Sequence, residues 1–107
     1  MSKSEGMTSV SESLWLRFRT YRQAQQYLKR GNRAFQKGDL PAAVSAYEEA
    51  LRHVPSLSLA RYNLGMALYK DGRRLEGREH WQRLLAEVQG KNAYLEEQVR
   101  IVLRQFG

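Results

Sequence analysis

The chain has 107 residues, about the size of one domain, and its 42% hydrophobic and 27% charged residues exclude wholesale disorder. It contains no cysteine, which excludes a disulfide scaffold, a thiolate metal site and a cysteine nucleophile, and suits a reducing compartment. No apolar stretch approaches the roughly 18 residues of a membrane span and residues 1–13 lack the apolar core of a secretory signal, so we expect a soluble cytoplasmic domain.

Most of the net charge of +7 lies in one segment near the N-terminus. Residues 15–37 contain seven lysines and arginines and no acid, whereas the rest of the chain is almost neutral. Such asymmetry is typical of a contact with an acidic protein, nucleic acid or anionic lipid, although a solvated helix face is an equally good interpretation. The candidate partner surface consists of five arginines: Arg17, Arg19, Arg22, Arg30 and Arg33.

A basic helix is predicted over residues 11–23, after a tail at residues 1–10 that we expect to be disordered. No proline interrupts the pattern that follows, so this helix should run directly into the next one. Leu14, Phe18 and Tyr21 lie on one line of it. We expect Phe18 and Tyr21 to pack against the following helices and so to cover the open side of the fold.

A helical hairpin is predicted next. Its two helices carry apolar stripes at spacings of three and four, Tyr27, Gly31, Ala34 and Phe35 in the first and Ala43, Tyr47, Ala50 and Leu51 in the second. Gly38 can adopt the left-handed conformation that ends a helix, and Asp39 can cap the helix that follows. Pro41 lies in the first turn of that helix, and Pro55 ends it.

A second hairpin is predicted from about residue 58 to residue 88, with its turn at Gly72. Its second helix opens on Arg73 and Arg74, whose positive charges oppose the helix dipole. Glu76 offsets this only in part, so we expect that end of the helix to fray.

A last helix is predicted over residues 92–106, with Asn92 as its N-cap. Apolar residues at positions 95, 99, 102 and 106 give it one hydrophobic face. We expect this face to cover the second hairpin, because the end of a short array otherwise exposes apolar surface.

The two hairpins are copies of one unit. A single constant separation relates Gly31 to Gly65, Gly38 to Gly72, Phe35 to Tyr69, Tyr47 to Trp81, and Leu51 to Leu85. This period, about 34 residues, and the pattern within it resemble the tetratricopeptide repeat, with its signature W-x2-L-G-x2-Y, then A-x3-F and a proline. The first repeat covers residues 24–57, with Tyr27 at the tryptophan place, and the second covers residues 58–91, with Arg61 there. The resemblance implies an all-α, right-handed array of two helical hairpins, with an N-terminal helical extension and a C-terminal capping helix.

The resemblance also implies a binding groove, because the first helix of each tetratricopeptide repeat lines a concave surface that holds a peptide. The implied lining is Leu28, Lys29, Asn32, Phe35, Tyr62, Asn63, Met66, Tyr69, Lys70 and Arg100. The aromatic residues among them are as well suited to packing between helices. Some family members clamp a chaperone's C-terminal carboxylate with two asparagines and three cations. Asn32 and Asn63 match the asparagine places, but Leu28, Ala93 and Glu97 occupy the basic places, so we expect no such clamp.

No set of catalytic residues is evident in the sequence. His80 and Glu76 are four residues apart, a spacing that could hold a metal, but one such pair does not make a site, and we expect His53 to be a packed imidazole at a helix C-terminus. There is no phosphate-binding loop or HExxH or GxSxG motif. We therefore predict a protein that is not an enzyme, with no cofactor, metal or small-molecule substrate. The predicted function is protein–protein interaction, as a small adaptor or assembly factor that binds a partner peptide or helix in the groove. The alternative is that the basic helix binds RNA or an anionic membrane, and a homodimer is a further option because so short an array can cover its faces by self-association.

Overall fold

The computed structural model describes the backbone of residues 2–107 and the side chains of residues 11–107. It contains five helices and, over the residues described, no strand: α1 (Ser2–Gln36), α2 (Leu40–His53), α3 (Ser58–Lys70), α4 (Arg74–Val88) and α5 (Ala93–Gln105). Each helix packs against the next one along the chain, and α1 also contacts α3. The predicted all-α array of helical hairpins is confirmed.

The turn of each hairpin depends on a glycine with a positive φ, 81° at Gly38 and 89° at Gly72. L-residues rarely adopt this conformation, whereas glycine does so freely. The amide after each glycine donates to the carbonyl five residues before it, with an N–O distance of 2.9 Å in both turns. The two turns therefore share one geometry, as the sequence repeat requires.

The N-termini of the helices differ in how they are capped. Asp39 Oδ1 accepts a hydrogen bond from the Ala42 amide at 3.2 Å, and the Asn92 side chain caps α5 in the same way, so both predicted caps are confirmed. At α4 the capping position is Arg73, which makes no capping hydrogen bond. Its Nε and Nη2 instead donate to the two carboxylate oxygens of Glu76, at 3.0 and 2.7 Å.

Close contact between a glycine and an aromatic ring joins the helices of each hairpin. Gly31 lies against the Tyr47 ring and Gly65 against the Trp81 ring, so closely that a Cβ atom at either glycine would overlap the ring. Trp81 is wholly buried, and its Nε1 donates to the Tyr62 carbonyl at 3.1 Å. The same close approach therefore occurs twice, at equivalent positions of the two repeats.

Helix α5 covers the second hairpin as predicted. Val99 and Val102 are buried on α4, in one core cluster with Trp81. The ring of Phe106 lies 5.9 Å from that of Trp81 and 5.1 Å from that of Tyr69, measured between centroids. This end of the array is therefore closed by aromatic and aliphatic packing.

The N-terminal part of α1 does not cover the first hairpin. Phe18 and Tyr21 are 54% and 48% exposed, and Ala24 is the first buried residue among the side chains described. The prediction that Phe18 and Tyr21 pack against the following helices is therefore wrong. The physical reason is length: α1 has 35 residues and α2 has 14, so at about 1.5 Å per residue α1 extends roughly 30 Å beyond its partner.

The basic helix and the first helix of the first repeat form one continuous helix. The disordered tail predicted at residues 1–10 lies outside the residues whose side chains the structure describes. The backbone of α1 begins at Ser2. The N-terminal extension (residues 11–23) therefore projects from the hairpin as part of a single rod.

Candidate peptide-binding groove

A pocket of about 290 Å³ lies between the first helices of the two repeats. Its lining comes from α1, α2 and α3: Asn32, Phe35, Gln36, Tyr47, Tyr62, Asn63, Met66 and Lys70. Six of the ten predicted groove residues are thus brought together here. Tyr47 was not among those predicted, because its place in the apolar stripe of α2 indicated only core packing. The one available signal is that a buried tyrosine hydroxyl needs a hydrogen-bond partner.

Two asparagines and a tyrosine form the polar floor of this pocket. Tyr47 Oη donates to Asn32 Oδ1 at 2.7 Å, and Asn63 Nδ2 donates to the same oxygen at 3.0 Å. Burial raises the pKa of the Tyr47 phenol, which therefore remains a neutral donor near pH 7. Because the three side chains belong to α2, α1 and α3, these bonds hold the two repeats in register across the pocket.

The walls of the pocket are apolar, and a cation stands at its rim. Phe35 and Met66 are half-buried on opposite helices. Lys70 Nζ lies 5.1 Å from the centroid of the Phe35 ring, a cation–π distance, while the side chain remains exposed. The pocket therefore offers hydrophobic contact, amide hydrogen bonds and one positive charge.

Four predicted groove residues lie elsewhere. Leu28 is buried in the core of the first hairpin, and Lys29 is exposed on α1 outside the pocket. Tyr69 stacks on Trp81 at a centroid distance of 5.8 Å. Arg100 Nη2 donates to Glu96 at 2.9 Å on α5. Leu28 and Tyr69 are therefore used in packing, and Arg100 is used in an ion pair within α5.

A second polar cluster lies on the opposite side of the array, around Arg61. This arginine takes the tryptophan place of the repeat and is only 4% exposed. Its Nη1 donates to His80 Nδ1 at 3.1 Å and its Nη2 to the Pro55 carbonyl at 3.2 Å, while Glu87 lies 3.9 Å from its Nε. Burial, followed by the charges of Arg61 and Arg83, lowers the pKa of His80, so the imidazole is the neutral acceptor that Arg61 needs.

The predicted basic partner surface is exposed along α1. None of the seven bases of residues 15–37 forms an ion pair within residues 11–107, whereas six arginines of residues 38–107 do. Arg30 lies over the ring of Tyr27, with 5.1 Å between its guanidinium carbon and the ring centroid. The remaining bases of this segment are free to meet an external group.

No helix over the described residues combines the length and the apolarity that crossing a bilayer would require. Within the same residues, His, Asp and Glu side chains form no group of three that could hold a metal ion.

A family model described as "TPR repeat" matches residues 31–72, from the glycine that contacts Tyr47 to the glycine of the second turn. No curated protein sequence is significantly similar to the chain. The matched segment includes α2, α3 and the junction at which the two hairpins stack. Together with the repeat register and the paired helices, this match is consistent with a tetratricopeptide-repeat protein.

Proposed function

We propose that this chain is a small cytoplasmic adaptor or assembly factor that binds a segment of a partner protein in the groove between α1 and α3. Tetratricopeptide repeats generally mediate protein–protein interaction and are typically not catalytic. The observation that carries the proposal is the pocket of about 290 Å³, whose apolar walls surround a pair of amides. The absence of cysteine suits the reducing compartment that the proposal assumes.

The two asparagines suit the backbone of a bound peptide. Their mutual hydrogen bond uses Asn32 Oδ1 and Asn63 Nδ2. The other amide atoms, Asn32 Nδ2 and Asn63 Oδ1, form a donor and an acceptor that can pair with a peptide C=O and N–H. Recognition of this kind is independent of the peptide's sequence and fixes its direction in the groove.

The walls and the rim supply selectivity. Met66 and Phe35 can hold an apolar side chain, and the flexible thioether adapts to its shape. Lys70 at the rim favours an acidic residue nearby. The pocket is at the small end of ligand sites, about 300–1,000 Å³, which suits a few side chains of a peptide.

The test is site-specific photo-crosslinking from the groove, followed by an affinity measurement. A photoreactive residue at position 66 should capture a partner segment that the same residue at the exposed position 82 on α4 does not capture. The captured segment is then synthesised and titrated by calorimetry. Met66→Ala and Lys70→Ala should each weaken its binding, with a combined loss of about tenfold or more, whereas Gln82→Ala should not. Circular dichroism checks that each variant is folded. Equal capture from positions 66 and 82, or unchanged affinity in the double variant, would count against the groove.

A further inference from the structure

The extension of α1 presents an exposed line of residues with a regular spacing. From position 14 onward, steps of four and three alternate through Leu14, Phe18, Tyr21, Gln25, Leu28, Asn32 and Phe35. This alternation is the a/d seam of a coiled coil, in which one helix packs along another. The last three of these residues are occupied by contacts within the repeats. The first three, Leu14, Phe18 and Tyr21, are exposed and are here called the exposed seam, while Gln25 is half-buried and its Nε2 donates to the Tyr21 hydroxyl at 2.8 Å.

The exposed seam is an apolar surface without a partner among the described residues. Of the nine large hydrophobic side chains that are exposed in residues 11–107, five lie between positions 14 and 21: three form the seam, Trp15 lies beside it, and Leu16 lies on the opposite face. Trp15 and Phe18 stack at a centroid distance of 6.0 Å, so the aromatic surface is continuous. A concentration of this kind marks an interaction site far more often than isolated exposed residues do.

Arginines flank the seam on both sides, next to Trp15 at an e position and Ala24 at a g position. In the heptad that the seam defines, Arg17 lies at a g position and Arg22 and Lys29 lie at e positions. None of them has an ion-pair partner within residues 11–107. Charges at e and g positions determine which helix can pair with a seam, because they meet the flanking charges of the partner.

We propose that the exposed seam binds an acidic amphipathic helix of a partner protein in a coiled-coil contact. The spacing selects a helix, because an extended strand repeats its side chains every two residues and cannot follow steps of four and three. The basic flanks select glutamate or aspartate beside the partner's apolar stripe. This surface lies outside the groove, and the proposal does not depend on occupation of the groove.

The same features disfavour a second copy of the chain. In a parallel pair of α1 helices, Arg17 of one copy would lie near Arg22 of the other, with like charges along the seam. An antiparallel pair would also align the two basic segments. Residues 38–107 contain ten bases and nine acids, so the rest of a second copy also lacks a strongly acidic helix that could pair with the basic flanks of the seam.

A bilayer surface or RNA fits the extension less well. A helix that lies in a membrane interface needs its apolar residues on one side, but Leu16 is 57% exposed about 160° around the helix from Phe18. Arg22 also projects within the arc between Phe18 and Trp15. RNA would use the cations but has no need of apolar residues at heptad spacing.

The test uses two labelled peptides of about three heptads, both with leucine at a and d and with either glutamate or lysine at e and g. Fluorescence anisotropy with the full-length protein should show binding of the glutamate peptide and none of the lysine peptide. Phe18→Glu should weaken that binding by about tenfold or more, whereas Leu16→Glu, a change of matched exposure on the opposite face, should not. Arg22→Glu beside the seam should also weaken it, whereas Arg19→Glu, remote from the seam, should not.

Several results would overturn the proposal. The first group comes from the anisotropy measurements: both peptides bind equally, neither peptide binds, or Leu16→Glu weakens binding of the glutamate peptide as much as Phe18→Glu does. Another is co-sedimentation with vesicles of phosphatidylglycerol and phosphatidylcholine that Phe18→Glu abolishes, which would assign the seam to a membrane. A third is a dimer in sedimentation velocity, or binding of a labelled oligouridylate, that Phe18→Glu abolishes. Each result leaves the groove proposal untouched, because Met66 and Lys70 lie on α3.

Discussion

At the scale of single residues, a contact between a glycine and an aromatic ring joins the two helices of each hairpin. At Gly65 a methyl group would favour the helix by about 1 kcal/mol, since alanine is the better helix former. The same methyl would overlap the buried indole of Trp81, and overpacking of this kind destabilises by about 1–3 kcal/mol. Trp81 cannot move aside without losing its hydrogen bond to the Tyr62 carbonyl. We therefore expect Gly65→Ala to lower the free energy of unfolding in urea titrations by up to roughly 2 kcal/mol.

A glycine in a turn supplies the control for this prediction. Gly72 has a φ of 89° and no atom within 4 Å of where a Cβ would lie, so a substitution there is opposed only by the backbone conformation. Gly72→Asn should retain more stability than Gly72→Ala, because asparagine tolerates left-handed backbone better. At Gly65, asparagine should be worse than alanine, since space is the limit there. The opposite order at either position would contradict this account.

The Arg61–His80 contact should make stability depend on pH. Burial, then Arg61 and Arg83, hold the folded-state pKa of His80 below its ordinary 6.5, while Glu76 and Glu79 act in the opposite direction. As the pH falls below about 6.5, the unfolded chain binds a proton before the folded protein does. The free energy of unfolding should therefore decrease from that pH down to the lower folded-state pKa.

Urea titrations across this pH range test the prediction. His80→Gln removes the titrating group and should flatten the dependence. Hydrogen bonds from arginine side chains are the chief cause that lowers the pKa values of Glu76 and Glu96. The contribution of these two carboxylates to the free energy of unfolding is therefore lost only at a more acidic pH, below 4.5. A wild-type slope that survives His80→Gln would show that another group is responsible.

At the scale of helices, the two repeats differ in how their second helices begin. Asp39 and Arg73 occupy equivalent places in the two repeats, but only Asp39 accepts a capping hydrogen bond. Arg73→Asp should add a cap worth about 1 kcal/mol and remove a cation from the positive end of the helix dipole. It also removes the ion pair with Glu76, but exposed pairs contribute only about 0–1 kcal/mol. We expect a net gain of roughly 0.5–1 kcal/mol.

Hydrogen exchange locates this effect. Amides in the first turn of α4 should exchange more slowly in the Arg73→Asp variant, whereas those of α5 should not change. In the first repeat, Asp39→Ala should do the reverse and destabilise by about 1 kcal/mol. If Arg73→Asp lowers stability, the bidentate contact with Glu76 is worth more than a cap at this position.

The helices and their pairing could be predicted from the sequence because their signals are local. Apolar residues at steps of three and four, a glycine at each turn and two side-chain caps all lie within a few residues of the structure they determine. The packing of Phe18 could not be predicted in this way. An apolar line indicates which face of a helix is hydrophobic, but not whether another element reaches that face.

The candidate site was predictable to the extent that it follows the repeat register. Asn32, Asn63 and Met66 lie in the pocket because equivalent positions of α1 and α3 face the same side. The burial of Arg61 was not predictable, since its partners His80 and Glu87 are distant in the chain and only the folded hairpin brings them near. Tyr69 was assigned to the groove because its contact with Phe106 depends on where α5 docks.

At the scale of the whole molecule, the two ends of the array are unlike. Helix α5 covers the second repeat, with Val99 and Val102 buried beside Trp81. At the other end, a shallow pocket of about 340 Å³ between α1 and α2 stays open, lined in part by Tyr27, Ala34 and Ala46. Because each repeat contacts only its neighbours, stability should depend on which end is altered.

Truncations at the two ends should therefore have opposite consequences. Removal of residues 2–19 deletes no side chain that is buried in the part of the structure described, so the free energy of unfolding should change by less than about 0.5 kcal/mol. Removal of α5 deletes Val99 and Val102, each worth about 1.5–3 kcal/mol of burial, and exposes Trp81 to water. The second repeat should then unfold, visible as a loss of helical circular dichroism and a red shift of Trp81 fluorescence. Trp15→Phe makes Trp81 the only tryptophan and so isolates that signal. If the protein stays stable without α5, or becomes unstable without residues 2–19, then the contacts that close the array lie at its N-terminal end and not at its C-terminal end.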